Sequence, residues 1–301
     1  MLTPSLTELL ELRHQAYHLR FFSSRKPQAL LSGLYASVFR GQGMDFDEVR
    51  EYRYGDEVHN IDWRVTARMG KPYLKVYLEE RERQVAFCLD IGAHMQFGTR
   101  KTFKSVQAAR VAALLGWSAQ AHGDRVSGLL FGQGAPQFFQ ARRAFWRLLR
   151  ALTRPPSHAT VSEMTVAKAL TLLDRSTTTG ALIFVIADFH RVTIAELQTA
   201  LGRLRQRHEV VLIGIDDPAD YDLPAVGLIK FLAPNGQQIT VNTDDRQGRK
   251  AYRQHWLQHQ HALQKLAQSL YVDFFSVSTQ ADAYQSLMRG LHQSLKRQQG
   301  H

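Results

Sequence analysis

The run ALIFVIAD, residues 181–188, is apolar up to its last position and ends in a carboxylate. A strand-length segment without polar alternation is buried on both faces, which is the condition of a parallel sheet covered by helices. VAFCLD (85–90), RVSGLLF (125–131) and EVVLIGID (209–216) read the same way, and Val272–Phe275 reads as a shorter last strand. Helical patterns separate them, over about 102–121, 142–153, 165–173, 193–207, 247–269 and 281–295. Pro155-Pro156 stops the second of these. Gln137–Phe139 reads as a short edge strand. Leu228–Leu232 and Gln238–Val241 read as a hairpin around Pro234-Asn235-Gly236. Strands alternating with helices predict an α/β fold: a doubly wound, mostly parallel sheet with helices on both faces.

The first 84 residues follow different rules. Residues 5–19 predict a helix with a stripe of Leu6, Leu9, Leu10 and Leu12. Residues 21–42 read as loop. From Gly43 to Gln84 the chain carries ten acidic and eight basic residues interleaved with aromatics. Lys75–Leu78 reads as a strand and Tyr54-Gly55-Asp56 as a turn. Near-balanced charge predicts internal pairing, with Arg50, Arg53, Arg64 and Arg68 set against Asp47, Glu51, Asp56, Asp62 or Glu79. The expected division is an N-terminal helix and charged box over 1–84, packed on an α/β domain over 85–301.

Several chemistries are excluded by what is missing. No Gly-Lys-Ser/Thr triplet, Gly-x-Gly-x-x-Gly after a strand, Gly-x-Ser-x-Gly or His-Glu-x-x-His occurs. The single cysteine, Cys88, rules out an internal disulfide and reads as a small buried hydrophobe. His255 and His259 share helical i, i+4 spacing, but no third ligand lies near them in sequence, so a solvated face is favoured over a metal pair. The N-terminal residues carry no secretory pattern, and no apolar run approaches the roughly 20 residues needed to cross a bilayer. The expected location is the cytoplasm.

The strand ends carry the sharper candidates. In a doubly wound sheet the carboxyl ends of parallel strands share one edge, so Asp90 and Asp188 are expected at one crevice. Thr165 opens the helix TVAKAL. Two carboxylates and a hydroxyl there could hold a hard divalent cation. They could equally cap neighbouring helix N-termini. Spacing alone leaves both readings standing.

The net charge of +11 points to acidic partners. Residues 246–301 hold eight Lys/Arg against two Asp, and Arg143, Arg147, Arg150 and Arg154 form one helix face opposite Phe145, Leu148, Leu149 and Leu152. No helix-turn-helix, zinc finger or RNA-binding aromatic motif accompanies them. A solvated face or an acidic partner therefore ranks above nucleic acid, and contact with a membrane surface stays open.

The box residues Phe46-Asp47-Glu48-Val49-Arg50-Glu51-Tyr52, Tyr54-Gly55-Asp56, Ile61-Asp62-Trp63, Thr66-Ala67-Arg68 and Lys75-Val76…Glu79-Glu80 resemble the hallmark of the bacterial domain-of-unknown-function 58 family, which carries a von Willebrand factor A-like domain. That resemblance implies a metal-ion-dependent adhesion site with Asp90 as first aspartate, Thr165 as the threonine and Asp188 as the last aspartate. The pattern Asp-x-Ser-x-Ser is broken here, because Gly92 and His94 stand where the serines belong. Magnesium needs near-octahedral oxygen ligation, so Mg²⁺ or Mn²⁺ binding is expected to be weak or absent. The resemblance also implies a protein partner, a MoxR-type AAA+ ATPase linked to chaperone-like maturation of other proteins. The expected role is a non-enzymatic adaptor. In it, Arg50, Tyr52, Asp56, Asp62, Trp63, Arg68 and Glu79 brace the fold and offer a docking side. A basic module for nucleic acid or an anionic surface is the alternative. An enzyme using Asp90, His94 and Asp188 ranks below both, since no nucleophile or cofactor motif is attached to them.

Overall fold

The computed structural model describes residues 3–17, 19, 44–53, 58–79, 83–141, 143–155, 164–232 and 237–299, with backbone alone at 44–48, 60, 75–79 and 295–299. The described residues fall into two compact units. One joins the N-terminal helix to everything from Arg83 onward, and the other ends at Glu82.

Helix α1 spans Leu6–Ala16 and is capped by Ser5, whose hydroxyl accepts from the Glu8 amide at 3.0 Å. Strand β1 (Met44–Glu51), helix α2 (Trp63–Met69) and strand β2 (Tyr73–Glu79) make up the box. β1 and β2 pair antiparallel, with a bulge between Phe46 and Glu48. Neither β1 nor α2 was expected. The bulge breaks the period-two pattern of β1. The α2 signals were present, however: Asp62 accepts from the Arg64 and Val65 amides, and Gly70 closes the helix at φ 68°. The expected turn at Tyr54–Asp56 lies outside the described residues.

The remaining elements follow the expected order. They are β3 (Gln84–Asp90), α3 (Lys104–Ala121), β4 (Arg125–Phe131), β5 (Gln137–Phe139), α4 (Ala144–Leu152), α5 (Val166–Ser176), β6 (Leu182–Ala187), α6 (Ile194–Arg205), β7 (Glu209–Asp216), the hairpin β8 (Leu228–Leu232) with β9 (Gln238–Asn242), α7 (Arg246–Ser269), β10 (Asp273–Ser278) and α8 (Ala283–Gln299). The main sheet runs β10-β7-β6-β3-β4-β5, parallel throughout except for the antiparallel edge strand β5.

Side-chain alternation along each strand feeds two cores. Val85, Phe87 and Leu89 face one layer with α1, α3, α4 and α8, where Phe87 stacks on Phe184 at 5.6 Å. Ala86 and Cys88 face the other layer with α5, α6 and α7. Cys88 is fully buried, and burial pushes its thiol pKa up, so the side chain is an apolar filler.

The N-terminal helix packs closely on the α/β domain. Leu9 is fully buried, its carbonyl accepts from Trp117 Nε1 at 2.8 Å, and Glu8 pairs with Arg110 at 2.6 Å. α1 therefore packs on α3 and completes a face of the sheet, as its leucine stripe requires.

The chain winds from β3 outward to β4 and β5, then returns to β6 on the other side of β3. The order thus reverses between β3 and β6, and the loops beyond their carboxyl ends part there. This is the position at which open α/β sheets form a crevice. Asp90 ends β3, Asp188 follows β6 and Asp216 ends β7, so the topology brings all three to one edge.

Candidate functional site: an edge of carboxylates with internal cations

Asp90 is nearly inaccessible, and both its oxygens are engaged. Oδ1 accepts from the Gly92 amide at 2.8 Å, and Oδ2 meets Nε2 of His94 at 2.8 Å. His94 sits in a single 3-10 turn, Ala93–Gln96, that folds its ring back over the strand end. Burial pushes the His94 pKa down, but the Asp90 hydrogen bond and the charges of Asp90 and Asp188 outweigh it and hold the pKa above the ordinary imidazole value. The Asp90 contact therefore favours the protonated His94 ring relative to a free imidazole.

The two departures from the serine pattern are one arrangement. A Cβ at position 92 would fall 2.6 Å from His94 Cε1 and 3.1 Å from Asp90 Oδ1. The ring can lie against Asp90 because residue 92 has no side chain. The loop after β4 closes the same space from its other side. Gly132, at φ 94°, brings its backbone so near that a Cβ there would meet Asp90 Oδ1 at 2.7 Å.

Asp188 is engaged in the same manner. Its Oδ1 accepts from the His190 amide at 3.0 Å, capping the turn Phe189–Arg191. Its Oδ2 receives the ammonium of Lys104 at 2.7 Å. Lys104 is the first residue of α3, is 1% exposed, and also reaches Asp220 Oδ2 at 2.7 Å. Burial lowers the Lys104 pKa, and the charges of Asp188 and Asp220 more than restore it, so the net direction is upward. Asp220 itself is shifted up by burial, against the opposing pull of Lys104. Sequence reading passed over Lys104, because a lysine opening a helix ordinarily points to solvent. Its signal is positional: it lies one crossover away from a strand-end aspartate.

A further aspartate braces this edge. Asp217 accepts from the Thr99 amide at 3.0 Å, from the Thr99 hydroxyl at 2.6 Å and from the Thr279 hydroxyl at 2.6 Å. Those hydrogen bonds overcome burial and hold its carboxyl below the usual range. They also tie the loop before α3 to the end of β10.

Thr165 caps α5, its hydroxyl accepting from the Lys168 amide at 3.4 Å, and it is exposed. Of the three ligands implied by resemblance, the two aspartates share the edge with internal cations, and the threonine serves its helix. As arranged, these donors do not fit an octahedral Mg²⁺ site, because each carboxylate is already hydrogen-bonded through both oxygens and neutralised on one of them. Among the described residues no three His, Cys, Asp or Glu side chains converge as a metal site. His255 and His259 do acquire a neighbour invisible in sequence: the His190 ring lies 6.2 and 5.7 Å from theirs. His259 Nε2 is occupied by the Phe189 carbonyl at 2.8 Å, and burial pushes the His190 pKa down.

The other expected site residues take these places. In the box, Trp63 is 68% exposed, Arg68 lies exposed in the last turn of α2, and Tyr52 is half-buried. Arg50 Nη1 donates to the Glu51 carbonyl at 3.3 Å, and the Glu51 carboxylate meets Lys71 at 3.2 Å. Asp56 and the Glu79 side chain lie outside the described residues. Arg143, Arg147, Arg150 and Arg154 are exposed on and beside α4, with Phe145, Leu148 and Leu149 buried opposite.

The chain has curated relatives in Mycobacterium. It is 28% identical over 206 residues to the uncharacterized proteins Mb1516 of Mycobacterium bovis and Rv1480 of Mycobacterium tuberculosis. The match takes in 67% of this chain and 64% of each relative, so the chain spans less than two thirds of their length. Similar solved structures include BatB from Bacteroides thetaiotaomicron, at 17% identity and a TM-score of 0.46, covering 71% of this chain and 99% of that one. A von Willebrand factor type A protein from Catenulispora acidiphila matches at 12% identity and a TM-score of 0.39, covering 71% and 42%. No described helix is long and apolar enough to cross a membrane. The model of the family described as protein of unknown function DUF58 matches residues 48–262, and the chain belongs to that family.

Proposed function

We propose that this chain is a non-enzymatic adaptor that docks a protein partner at the carboxyl edge of its sheet without a bridging metal. The observation that carries the reading is the pair of basic side chains seated on the strand-end aspartates: His94 on Asp90 at 2.8 Å and Lys104 on Asp188 at 2.7 Å. A metal-bridged interface needs free carboxylate oxygens and a bare cation for the partner's acidic group to complete. Here the positive charge is built into the chain. His94 remains partly exposed, at 26% of its side chain, and its Nδ1 has no partner among the described residues. In the imidazolium form that nitrogen is a donor, and an acidic partner side chain is its natural acceptor.

The partner we propose is a MoxR-type AAA+ ATPase, as the signature box implies, with the pair acting in the cytoplasm on the maturation or assembly of other proteins. Among the described residues the edge carries no nucleophile beside a base and no phosphate cradle, which favours docking over catalysis.

The test is capture of the nucleotide-free ATPase by the immobilised chain, with and without EDTA. Capture is expected to survive EDTA and to fall about tenfold or more with His94→Ala, the usual scale for losing one charged hydrogen bond. Strict dependence on a divalent ion would refute metal-free docking. Absence of capture in both conditions would refute the ATPase as partner.

A further inference from the structure

We infer that the outer face of α4, continued onto α1, is a docking surface for an anionic lipid bilayer. Between Asp124 and Glu163 the sequence has no carboxylate residue and six arginines. Arg147 and Arg150 project within about 60° of each other around the α4 axis, and Arg143 and Arg154 flank the two ends of that helix. All four are exposed, and among the described residues none is paired with a carboxylate. Unpaired guanidiniums on an amphipathic helix whose other face is anchored by Phe145, Leu148 and Leu149 await a counter-charge from outside.

Two features select a bilayer over other anions. The first is aromatic content. Trp146 flanks the arginines and is 42% exposed, with its ring roughly perpendicular to that of Trp117 at a centroid distance of 5.5 Å. Trp117, Arg13 and Tyr17 line a neighbouring recess of about 460 Å³, and Tyr17 is 74% exposed. Arg13 and Tyr17 share a side of α1, while Glu11 lies on the opposite side. Tryptophan and tyrosine rings with guanidiniums beside them match the headgroup layer, where an apolar body and a polar tip are both satisfied. The second is the cation type. The face uses only arginine, whose planar fork takes lipid phosphate through two hydrogen bonds. The patch spreads over two helices instead of forming a groove, which suits a plane better than a peptide. Each guanidinium held near an anionic leaflet contributes roughly a fivefold gain in partitioning.

The test is flotation of the full chain with phosphatidylcholine vesicles, with and without about 30 mol% phosphatidylglycerol, at about 0.1 M salt. Retention only on the anionic vesicles is expected. Arg147→Gln with Arg150→Gln is expected to weaken it roughly 25-fold. The Arg147→Lys, Arg150→Lys variant keeps the charge and is expected to restore most of the retention, which separates loss of binding from loss of fold. Equal retention on neutral vesicles, parental retention of the glutamine variant, or tighter binding to a DNA duplex than to vesicles at matched phosphate would each overturn the inference.

Discussion

The ammonium of Lys104 lies 2.7 Å from Asp188 and 2.7 Å from Asp220, with 1% of the lysine exposed. One buried cation thus holds two carboxylates from separate loops at the carboxyl edge of the sheet. Lys104→Met removes the charge but keeps much of the stem. Two aspartates would then be left buried against each other. Breaking a buried pair from one side costs about 3–5 kcal/mol, because the remaining charges lose their compensation. Urea denaturation at neutral pH measures this. A loss under about 1 kcal/mol would show that water reaches the cluster and screens it.

Asp216, the last residue of β7, gives a pH dependence of opposite sign to the usual aspartate. Burial raises its pKa from 3.8 to about 6, against a hydrogen bond from Ser276, with Asp220 and Asp188 adding to the rise. A folded pKa above the unfolded one means that the folded state holds the proton longer. Below about pH 4 the group is protonated in both states and costs nothing. As the pH rises through about 6 it ionises in the fold, and stability falls. Asp216→Asn should therefore stabilise the protein at pH 7.5 by on the order of 1–3 kcal/mol. The gain should vanish near pH 4, as followed by denaturant midpoints across that range. A gain that persists at pH 4 would assign the effect to packing.

How much of this was legible in the sequence divides along physical lines. The parallel sheet was written in uninterrupted apolar runs such as LIFVIA, all buried in β6, because burial on both faces leaves a one-dimensional trace. The edge position of Asp90 and Asp188 followed from topology alone. Lys104 did not, since its role depends on Asp220, 116 residues away. Gly92 and His94 were legible as departures but not as a coupled pair, because the contact between a would-be Cβ and a ring exists only after the 3-10 turn forms. The packing of α1 on the α/β domain was expected, but its partners were not legible. A leucine stripe shows that a helix must pack, and Trp117 and Arg110 decide where.

Gly116 illustrates the same limit within a helix. In α3 it reads as a weakness, since alanine would be favoured there by about 1 kcal/mol. A Cβ at 116, however, would fall 2.1 Å from Phe145 Cε2, the residue that seats α4 on the sheet. Gly116→Ala is expected to destabilise by about 1–3 kcal/mol, the range for overpacking, despite the gain in propensity. Combining it with Phe145→Leu should recover part of the loss. Thermal melts of the two single variants and the double check it, and a neutral Gly116→Ala would mean that the α3–α4 contact yields without strain.

The last prediction concerns the turn after β3. Gly92→Ser alone introduces a Cβ 2.6 Å from His94 Cε1, so the ring must leave Asp90. His94→Ser alone removes the cation and frees Asp90 Oδ2. Once His94 is gone, the serine at 92 meets no ring, so the two changes are expected to couple by about 0.5–3 kcal/mol in a double-mutant cycle, with the double variant more stable than the sum of the singles predicts. The double variant also presents two hydroxyls beside a freed carboxylate, an oxygen-rich set suited to a hard divalent ion. Titration calorimetry with Mg²⁺ and Mn²⁺ is expected to show at least about tenfold tighter binding than in the parent. The gain should be partial, because Lys104 still neutralises Asp188. Adding Lys104→Met should raise the affinity again if the variant remains folded, as judged by circular dichroism. Tight binding by the parent that Asp90→Ala abolishes would show that the metal displaces His94 unaided, and the internal-cation reading of this edge would fail.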